Sequence, residues 1–421
     1  MACAEDATPR WFPGWTMVAV AAGAFFVSAP GQSYSVAAFK EPMKASLQMS
    51  DTGFSLLYTV ATLLSGAMLP VVGRLLDTHG ASRVLPALTA LLGAACLVMA
   101  GVQSWVAFGV ALCCVRSLGQ GAMTLAGNWL IGEWFERRRG FATAIAGLGG
   151  GASVVCVPLA NDWVIGVCGW RGGWVALATL VWGVMLLPSR FLVCDRPELM
   201  GLSPDGDRPI GVPATGAADP ESGPIPASRV IGVVAERRFW SLLAPVATTA
   251  MVVTGLVFHS VAILGDRGVG TRSALGLVSA QAIAALFLTP LAGWLTDRLR
   301  AYRVLAVSMA LLAAAPLLLF AAPHPAALAA YTIALGVAEA ANRTAGVTVW
   351  LECYGRRNQG AIRGVAMAGV VAGAAAGPLP IALARDQLAT AAPALIGFSV
   401  VASAAGAAVA AAGAGPSRAD R

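Results

Sequence analysis

Long apolar segments, separated by short polar connections, dominate this sequence and restrict the folds that are open to it. Hydrophobic residues make up 57% of the 421 residues and charged residues only 12%, a composition too apolar for an ordinary soluble fold. Twelve segments contain about 20 or more residues, which is enough to cross the ~30 Å hydrocarbon core of a bilayer. The sequence therefore predicts an all-α polytopic membrane protein whose transmembrane helices lie near residues 14–38, 52–73, 82–101, 104–133, 139–163, 171–190, 237–264, 272–294, 302–322, 325–353, 361–385 and 389–413.

The basic residues indicate how the chain is oriented in the membrane. If the N-terminus is cytoplasmic, the cytoplasmic connections and termini contain 20 of the 28 Lys and Arg residues, and the connections on the other side contain 6. Because positive residues concentrate on the cytoplasmic side, both termini are predicted to be cytoplasmic. The basic residues stand in short runs at segment ends, so the net charge of +7 is a topology signal and does not indicate nucleic-acid binding.

A polar connection divides the twelve segments into two sets of six. Residues 191–236 contain seven prolines and several glycines, a composition typical of a linker. We therefore predict an N-terminal six-helix bundle at residues 1–190, a cytoplasmic linker, and a C-terminal six-helix bundle at residues 237–421. The eight cysteines and three histidines of the sequence form no Cys-x-x-Cys pair and no histidine cluster, so no metal or other cofactor is expected.

A short polar loop recurs in the two halves. A glycine, an aspartate and an arginine follow the second apolar segment of each half with the same spacing. A glycine lets two helices approach closely, an aspartate can cap a helix N-terminus, and an arginine can bind carbonyls at a helix C-terminus. The repeat indicates a tandem duplication and predicts contacts that hold one conformation and break in another. The residues assigned to this conformational gate are Gly73, Asp77, Gly80, Arg83, Gly293, Asp297 and Arg303.

The first copy of the loop, residues 73–83, resembles the loop between helices 2 and 3 in the major facilitator superfamily of transporters. Residues 196–206 are similar to the start of the linker in bacterial members of the monocarboxylate and oxalate-formate antiporter type. The resemblance implies two six-helix pseudo-repeats around a central cavity that opens alternately to either side of the membrane. Asp77 would then hold a cytoplasmic contact that exists only when the cavity faces outward. Asp297 is expected to matter less, because the second loop departs further from the family pattern.

Three charged side chains lie near the centres of predicted helices, where each costs at least ~2.5–3.5 kcal/mol to insert. Arg116 and Gln120 belong to the fourth segment, in a stretch that resembles the arginine-glycine motif of helix 4 in proton-coupled family members. No acid stands three or four positions from Arg116 in the sequence. We therefore predict that Arg116 binds the negative charge of a substrate, with Gln120 beside it; the alternative is a packing arginine that is held by carbonyls.

The other two charges, Glu339 and Arg343, stand four residues apart in the tenth segment. They lie on one helix face, where they can neutralise each other. Alignment of the two halves places Glu339 opposite Gln120, so we expect Arg116, Glu339 and Arg343 to share one layer near the midplane. Arg343 and its neighbour Asn342 are assigned to substrate binding and Glu339 to proton coupling; a purely structural ion pair is the alternative.

Helices 1 and 7 contain a matching triplet. Ser-Val-Ala occurs at residues 35–37 and again at residues 260–262, which aligns Tyr34 with His259. The resemblance implies that these helices line the cavity, so both residues are assigned to substrate binding and His259 also to proton coupling; packing roles are the alternative. The chain departs from many monocarboxylate transporters, which have a lysine where it has Ser33.

These observations predict a secondary active transporter that moves a small organic anion, a monocarboxylate or a related carboxylate, across a bacterial plasma (inner) membrane. Transport would be coupled to protons or to exchange of a counter-anion, and the protein is expected to act as a monomer in the lipid bilayer. A proton-coupled drug or cation exporter that uses Glu339, and a non-transporting receptor, are the alternatives. An enzyme is not expected, because the sequence lacks a convergent set of ionisable groups such as a His-Asp pair.

Overall fold

The computed structural model describes residues 12–49, 51–206, 227–355 and 359–413, and this part of the chain contains helices and no strands. The first half contains α1 (Gly14–Val27), α2 (Ser33–Ser46), α3 (Asp51–His79), α4 (Ala81–Ala100), α5 (Trp105–Arg116), α6 (Thr124–Trp134), α7 (Arg139–Val181) and α8 (Leu187–Phe191). The second half contains α9 (Ala227–Ala235), α10 (Arg237–Phe258), α11 (Ser260–Gly265), α12 (Thr271–Arg298), α13 (Ala301–Leu318), α14 (Pro325–Tyr354), α15 (Gln359–Ala376), α16 (Pro378–Leu388) and α17 (Ala392–Gly413). The short helix α9 lies within the predicted linker.

Ten stretches of the described residues are long and apolar enough to cross a membrane. One of them, Arg139–Phe191, has 53 residues and contains two crossings, because Gly169 interrupts α7 with a φ of 70°. The polar helix α14, with Glu339 and Arg343, is not among the ten, yet its 30 residues are enough to span the bilayer. With these two additions the prediction of twelve transmembrane helices is confirmed.

The apolar residues divide between interior and outer surfaces as a bilayer requires. In the first half the indoles of Trp129, Trp134 and Trp174 are almost fully buried. On the outside of the helices, large apolar side chains such as Leu159 and Phe287 are 70% and 77% exposed. Such side chains are favourable where lipid replaces water. Each half therefore has its own packed interior and an apolar outer face.

The first transmembrane helix, which comprises α1 and α2, is broken near its middle. The break contacts the fourth transmembrane helix, which comprises α5 and α6. Between α1 and α2 lies a 3-10 turn, Ala29–Gly31, and it contains Pro30, which has no N–H to donate. A Cβ added to Gly31 would lie 2.4 Å from the backbone nitrogen of Gln120, so the two backbones touch. At the same level helix 4 widens into a π-helical segment, Ser117–Met123, between α5 and α6. A glycine at position 31 is required for this contact.

The two halves meet at their cytoplasmic ends through the recurring aspartates. The carboxylate of Asp77, near the end of α3, accepts hydrogen bonds from the backbone nitrogens of Gly360 at 2.9 Å and Ala361 at 2.8 Å, at the start of α15. It also accepts one from the indole nitrogen of Trp129 at 2.9 Å. An aspartate in this position satisfies N–H groups that an isolated helix N-terminus leaves unpaired.

The second aspartate makes the equivalent contact. Asp297, near the end of α12, accepts hydrogen bonds from the backbone nitrogens of Gly140 at 2.6 Å and Phe141 at 2.8 Å, at the start of α7. Glycines let the helices approach closely at both places, because a Cβ on Gly73 or on Gly293 would collide with a backbone carbonyl of the opposite half. Each half thus caps a helix of the other half.

The remaining residues of the predicted gate lie elsewhere. Arg83 and Arg303 are exposed, and the guanidinium of Arg303 lies beside the ring of Tyr302. Gly80 has a φ of 75° and forms the turn before α4, where an added Cβ would lie 2.4 Å from the carboxylate of Asp195. Among the described residues of the predicted gate, the glycines and aspartates at the ends of α3 and α12 are the ones that join the two halves directly.

Substitution of Asp77 by asparagine should loosen the cytoplasmic end. The amide retains one acceptor oxygen but turns an NH₂ group towards a backbone N–H, and a hydrogen bond to a charged group contributes about 1.5–3 kcal/mol. We expect spin labels at the exposed positions Arg83 and Arg303, in a background without the native cysteines, to show a longer distance distribution in Asp77→Asn than in the parent. Asp266→Asn, which removes a carboxylate that pairs with Arg385 inside the second half, is the control. An unchanged distribution in Asp77→Asn would leave the aspartate as an ordinary helix cap.

Candidate functional site

A cavity of about 490 Å³ lies between the two halves. The first half contributes residues of α1, α2, α6 and α7 to its wall, and the second half contributes residues of α10, α12, α14 and α15. Most of its surface is apolar, and the polar residues that line it are Ser28, Gln32, Tyr34, Thr124, Asn128, Thr143, Thr289, Asn342, Arg343 and Arg363. Pockets of this size, mostly apolar and with a few placed polar groups, are typical of small-molecule sites.

The wall formed by α14 contains an ion pair. A guanidinium nitrogen of Arg343 lies 2.5 Å from one carboxylate oxygen of Glu339, as the four-residue spacing predicted. Gln281 of α12 donates its amide N–H to the other oxygen of Glu339 at 3.0 Å. The Arg343 side chain is 41% exposed and lines the cavity, whereas that of Glu339 is 23% exposed. Arg343 is therefore the member of the pair that is open to a bound molecule.

A second arginine, which was not among the predicted site residues, reaches the cavity. Arg363 of α15 is 5% exposed and lines the cavity. Its guanidinium donates to the carbonyl of Asn128 in the first half and to the carbonyl of Val347 in the second, both at 2.6 Å, and to the side-chain oxygen of Gln359 at 3.2 Å. Its hydrogen bonds thus go to uncharged acceptors, and one of them crosses between the halves.

Gln359 extends this network towards the first half. Its amide nitrogen donates to the carboxylate of Glu133 at 2.7 Å and to the carbonyl of Trp129 at 3.2 Å. Glu133 is 2% exposed and also pairs with Arg196 at 3.2 Å. The cytoplasmic end of the cavity is therefore closed by side chains of both halves, in addition to the two aspartate caps.

Two polar atoms in the cavity wall make no hydrogen bond within the described part of the chain: the hydroxyl oxygen of Thr143 on α7 and the side-chain oxygen of Asn342 on α14. Thr143 is only 4% exposed. A buried polar group without a partner costs about 1–3 kcal/mol. A bound molecule that accepts a hydrogen bond from the Thr143 hydroxyl, or donates one to the Asn342 oxygen, would remove this penalty.

Arg116 is 1% exposed and is not among the residues that line the cavity. Its predicted role in substrate binding stays a prediction. The guanidinium donates to the carbonyl of Gly31 at 3.2 Å, to the hydroxyl of Tyr58 at 2.7 Å and to the side-chain oxygen of Gln120. It also stacks over the Tyr58 ring at 4.2 Å.

Uncharged groups of the first, second and fourth transmembrane helices surround the guanidinium of Arg116, and its Nε has no hydrogen-bond partner in the described part of the chain. Tyr58 extends the network by donating to the hydroxyl of Ser33 at 2.5 Å. These contacts match the alternative of a packing arginine. They join the turn between α1 and α2 to α3 and to the π-helical segment between α5 and α6.

Tyr34 and His259 are not brought together. Tyr34 lines the cavity, and its hydroxyl lies 2.8 Å from that of Ser153, which itself donates to the carbonyl of Phe26. Tyr34 must therefore be the donor to Ser153. His259, between α10 and α11, places Nε2 3.1 Å from the carbonyl of Pro378, so this nitrogen carries a proton. Its contact is with the start of α16, away from the cavity wall.

Comparison with known proteins identifies the fold. The family described as the Major Facilitator Superfamily matches residues 21–279 and 268–415. No curated relative matches the sequence. Among solved structures, the human organic anion transporter MFSD10 (TETRAN) is 13% identical, with a TM-score of 0.64 over 95% of this chain and 100% of the other.

Two sugar transporters are similar to the same degree. FucP in the outward conformation is 14% identical, with a TM-score of 0.65 over 94% of this chain and 98% of the other; a further structure describes it as the E. coli fucose:proton symporter. The proton:xylose symporter XylE, bound to 6-bromo-6-deoxy-D-glucose, is 13% identical, with a TM-score of 0.68 over 94% of both chains.

Replacement of Arg116 by lysine separates its two possible roles. A lysine cannot reach Gly31, Tyr58 and Gln120 together, and each hydrogen bond to a charged group contributes about 1.5–3 kcal/mol. We expect Arg116→Lys to lower the unfolding temperature of the detergent-purified protein by several degrees, whereas the control Arg343→Lys, at a half-exposed site, should change it little. Unaltered stability of Arg116→Lys together with lost carboxylate binding would contradict the packing role and favour the predicted role in substrate binding.

Proposed function

Because the chain belongs to the Major Facilitator Superfamily, we propose that it moves a small organic anion, a monocarboxylate or a related carboxylate, across a bacterial plasma membrane by alternating access of its two halves. The chain is a multi-pass membrane transporter and not an enzyme. Its similarity to solved structures does not select the cargo, because those proteins are described as carriers of an organic anion or of sugars. The proposal therefore depends on the residues of the cavity.

The observation that supports an anion is the presence of two arginines in the cavity wall. Arg343 is half-exposed there and Arg363 is almost fully buried. Glu339 balances the first, while the second makes its hydrogen bonds to carbonyl and amide oxygens. Glu133 and Asp77 act on the charge of Arg363, but no carboxylate of the described residues pairs with it directly. A buried cation without a direct ion-pair partner favours an anion, and the planar guanidinium matches the two oxygens of a carboxylate.

The ion pair also supports coupling to protons. A substrate carboxylate that binds Arg343 competes with Glu339 for the same guanidinium. Glu339 would then lose its counter-charge, and a carboxylate in a low-dielectric site without a counter-charge favours its protonated form. Substrate and proton would thus enter together. His259 lies away from the cavity wall, whereas Glu339 pairs with Arg343 of that wall, so we propose Glu339 rather than His259 as the proton carrier. Exchange of the substrate for a counter-anion is the alternative to proton coupling.

The aspartate caps support the gating role of the recurring loop. Asp77 and Asp297 join the halves at the cytoplasmic ends of α3 and α12, so release of a substrate to the cytoplasm requires these contacts to break. Asp77 has one more hydrogen-bond donor than Asp297 in the contacts described above, the indole of Trp129, which supports the larger role predicted for Asp77. Both walls of the cavity come from one chain, which supports a monomer as the transporting unit.

A drug or cation exporter is the second candidate, and the acidic Glu339 is the observation in its favour. This carboxylate is already bound by Arg343 and Gln281. A cationic substrate would have to displace Arg343 while Arg363 remained in the cavity. Repulsion between like charges makes this arrangement less favourable than the anion site.

Uptake into proteoliposomes tests the proposal. A panel of carboxylates would be offered with and without an inward proton gradient. We expect accumulation of at least one carboxylate in the presence of the gradient, and its loss in Arg343→Gln. Arg385→Gln, which breaks a different ion pair of the second half, is the matched control and should transport as the parent does. Failure of the parent to bind or move any carboxylate would reject the anion assignment.

The role of Glu339 has its own test. Glu339→Gln keeps the size of the side chain but cannot release a proton, so substrate exchange across the membrane should continue while accumulation driven by the proton gradient should fall at least tenfold. The matched control is Asp266→Asn. Full gradient-driven accumulation by Glu339→Gln would contradict proton coupling through this residue.

A further inference from the structure

We propose that the substrate anion has a bulky apolar body, of at least the size of an aromatic ring, which packs against α7 around Gly147. The inference rests on the proposed function for the negative charge of the substrate. It adds a substrate class: amphipathic carboxylates are preferred over acids of two or three carbons.

The volume of the cavity is the first support. At about 490 Å³ it lies within the ~300–1,000 Å³ of pockets that enclose drug-sized ligands. With roughly 30 Å³ for each water-sized group, the four heavy atoms of acetate would fill on the order of a quarter of it. Most of an apolar cavity would then hold water. A larger apolar body would displace that water.

The chemistry of the wall is the second support. Apolar side chains from both halves face the cavity, so that a ligand between the halves is enclosed by hydrophobic surface on two sides. Such surface favours apolar ligand groups because both surfaces are removed from water. The side chains concerned are Phe25, Leu125, Val154, Val246, Trp350 and Met367.

The glycines of α7 are the third support, because they differ in what surrounds them. A Cβ on Gly149 would lie 2.1 Å from the carbonyl oxygen of Ala22, and one on Gly151 would lie 2.5 Å from the side chain of Leu286, so these two glycines permit helix contacts. A Cβ on Gly147 would meet no described atom within 4 Å. Gly147 therefore serves no helix contact in the described part of the chain and leaves a recess in the cavity wall.

A polar group marks the same face of the helix. Thr143 stands four residues before Gly147, hence one turn away on the same side of α7. Its buried hydroxyl has no hydrogen-bond partner in the described residues and faces the cavity. Arg343 and Arg363 supply positive charge to the wall of the same cavity. A ligand that has a carboxylate and an apolar ring matches both the charge and the recess.

Calorimetric titration of the detergent-purified full chain tests the preference directly. The probes are acetate, propanoate, benzoate and phenylacetate, with neutral benzamide as the uncharged counterpart of benzoate. We expect benzoate or phenylacetate to bind at least tenfold more tightly than propanoate, and benzamide to bind more weakly than benzoate. Propanoate binding as tightly as the aromatic acids would overturn the inference and leave the proposed function intact.

A pair of glycine variants tests the location. Gly147→Leu fills the recess and should weaken binding of the aromatic acids at least tenfold, with propanoate changed less than threefold. Gly166→Leu is the matched control, since Gly166 lies on α7, is exposed, and also has no described atom within 4 Å of an added Cβ. Equal weakening of benzoate by both variants would overturn the location.

The remaining outcomes separate this inference from the proposed function. If benzamide binds as tightly as benzoate, the anion assignment fails and the apolar body is supported. If no carboxylate of either size binds, both proposals fail. The comparison among probes uses the parent protein, so the inference is decided even if Gly147→Leu does not fold.

Discussion

The structure depends on a carboxylate of one half that caps a helix of the other. Asp77 binds the first backbone nitrogens of α15, and Asp297 binds those of α7. Aspartate is suited to this contact because its charge complements the positive end of the helix dipole and its two oxygens accept two N–H groups at once. Because the same contact occurs twice, on related helices of a duplicated chain, the cytoplasmic end is held on both sides of the cavity.

Three buried or half-buried arginines differ in their partners, and the partners separate their roles. Arg116 donates to a carbonyl, a hydroxyl and an amide oxygen of the first half, and its Nε has no partner among the described residues. Arg343 has a carboxylate beside it and an open side towards the cavity. Arg363 joins carbonyls of both halves. Insertion of an arginine into a membrane helix costs free energy in every case. The residue type alone therefore does not show whether an arginine stabilises the fold or binds a substrate.

The sequence was sufficient to predict the features that depend on segment length and on residue spacing. Segment length gave the twelve helices, the recurring loop gave Asp77 and Asp297, and the four-residue spacing gave the pair of Glu339 and Arg343. The hydrogen-bond partners of Arg116 could not be predicted, because they depend on tertiary contacts with the broken turn of helix 1 and with Tyr58, which no local pattern contains. Arg363 was not predicted as a cavity residue, because a charged residue at a segment end can face either water or the interior. The resemblance to the monocarboxylate and oxalate-formate branch stays a prediction.

The two-sided attachment of Arg363 links occupancy of the cavity to its closure. In the closed arrangement the guanidinium is shared between Asn128 of the first half and Val347 of the second. Separation of the halves at the cytoplasmic end removes the first of these acceptors and leaves a buried cation less well satisfied. An empty carrier must therefore open against that penalty, whereas a carrier with an anion beside Arg363 replaces the lost acceptor with a charged one. The same side chain would thus favour movement of the loaded protein over movement of the empty one, which suits the exchange of one anion for another.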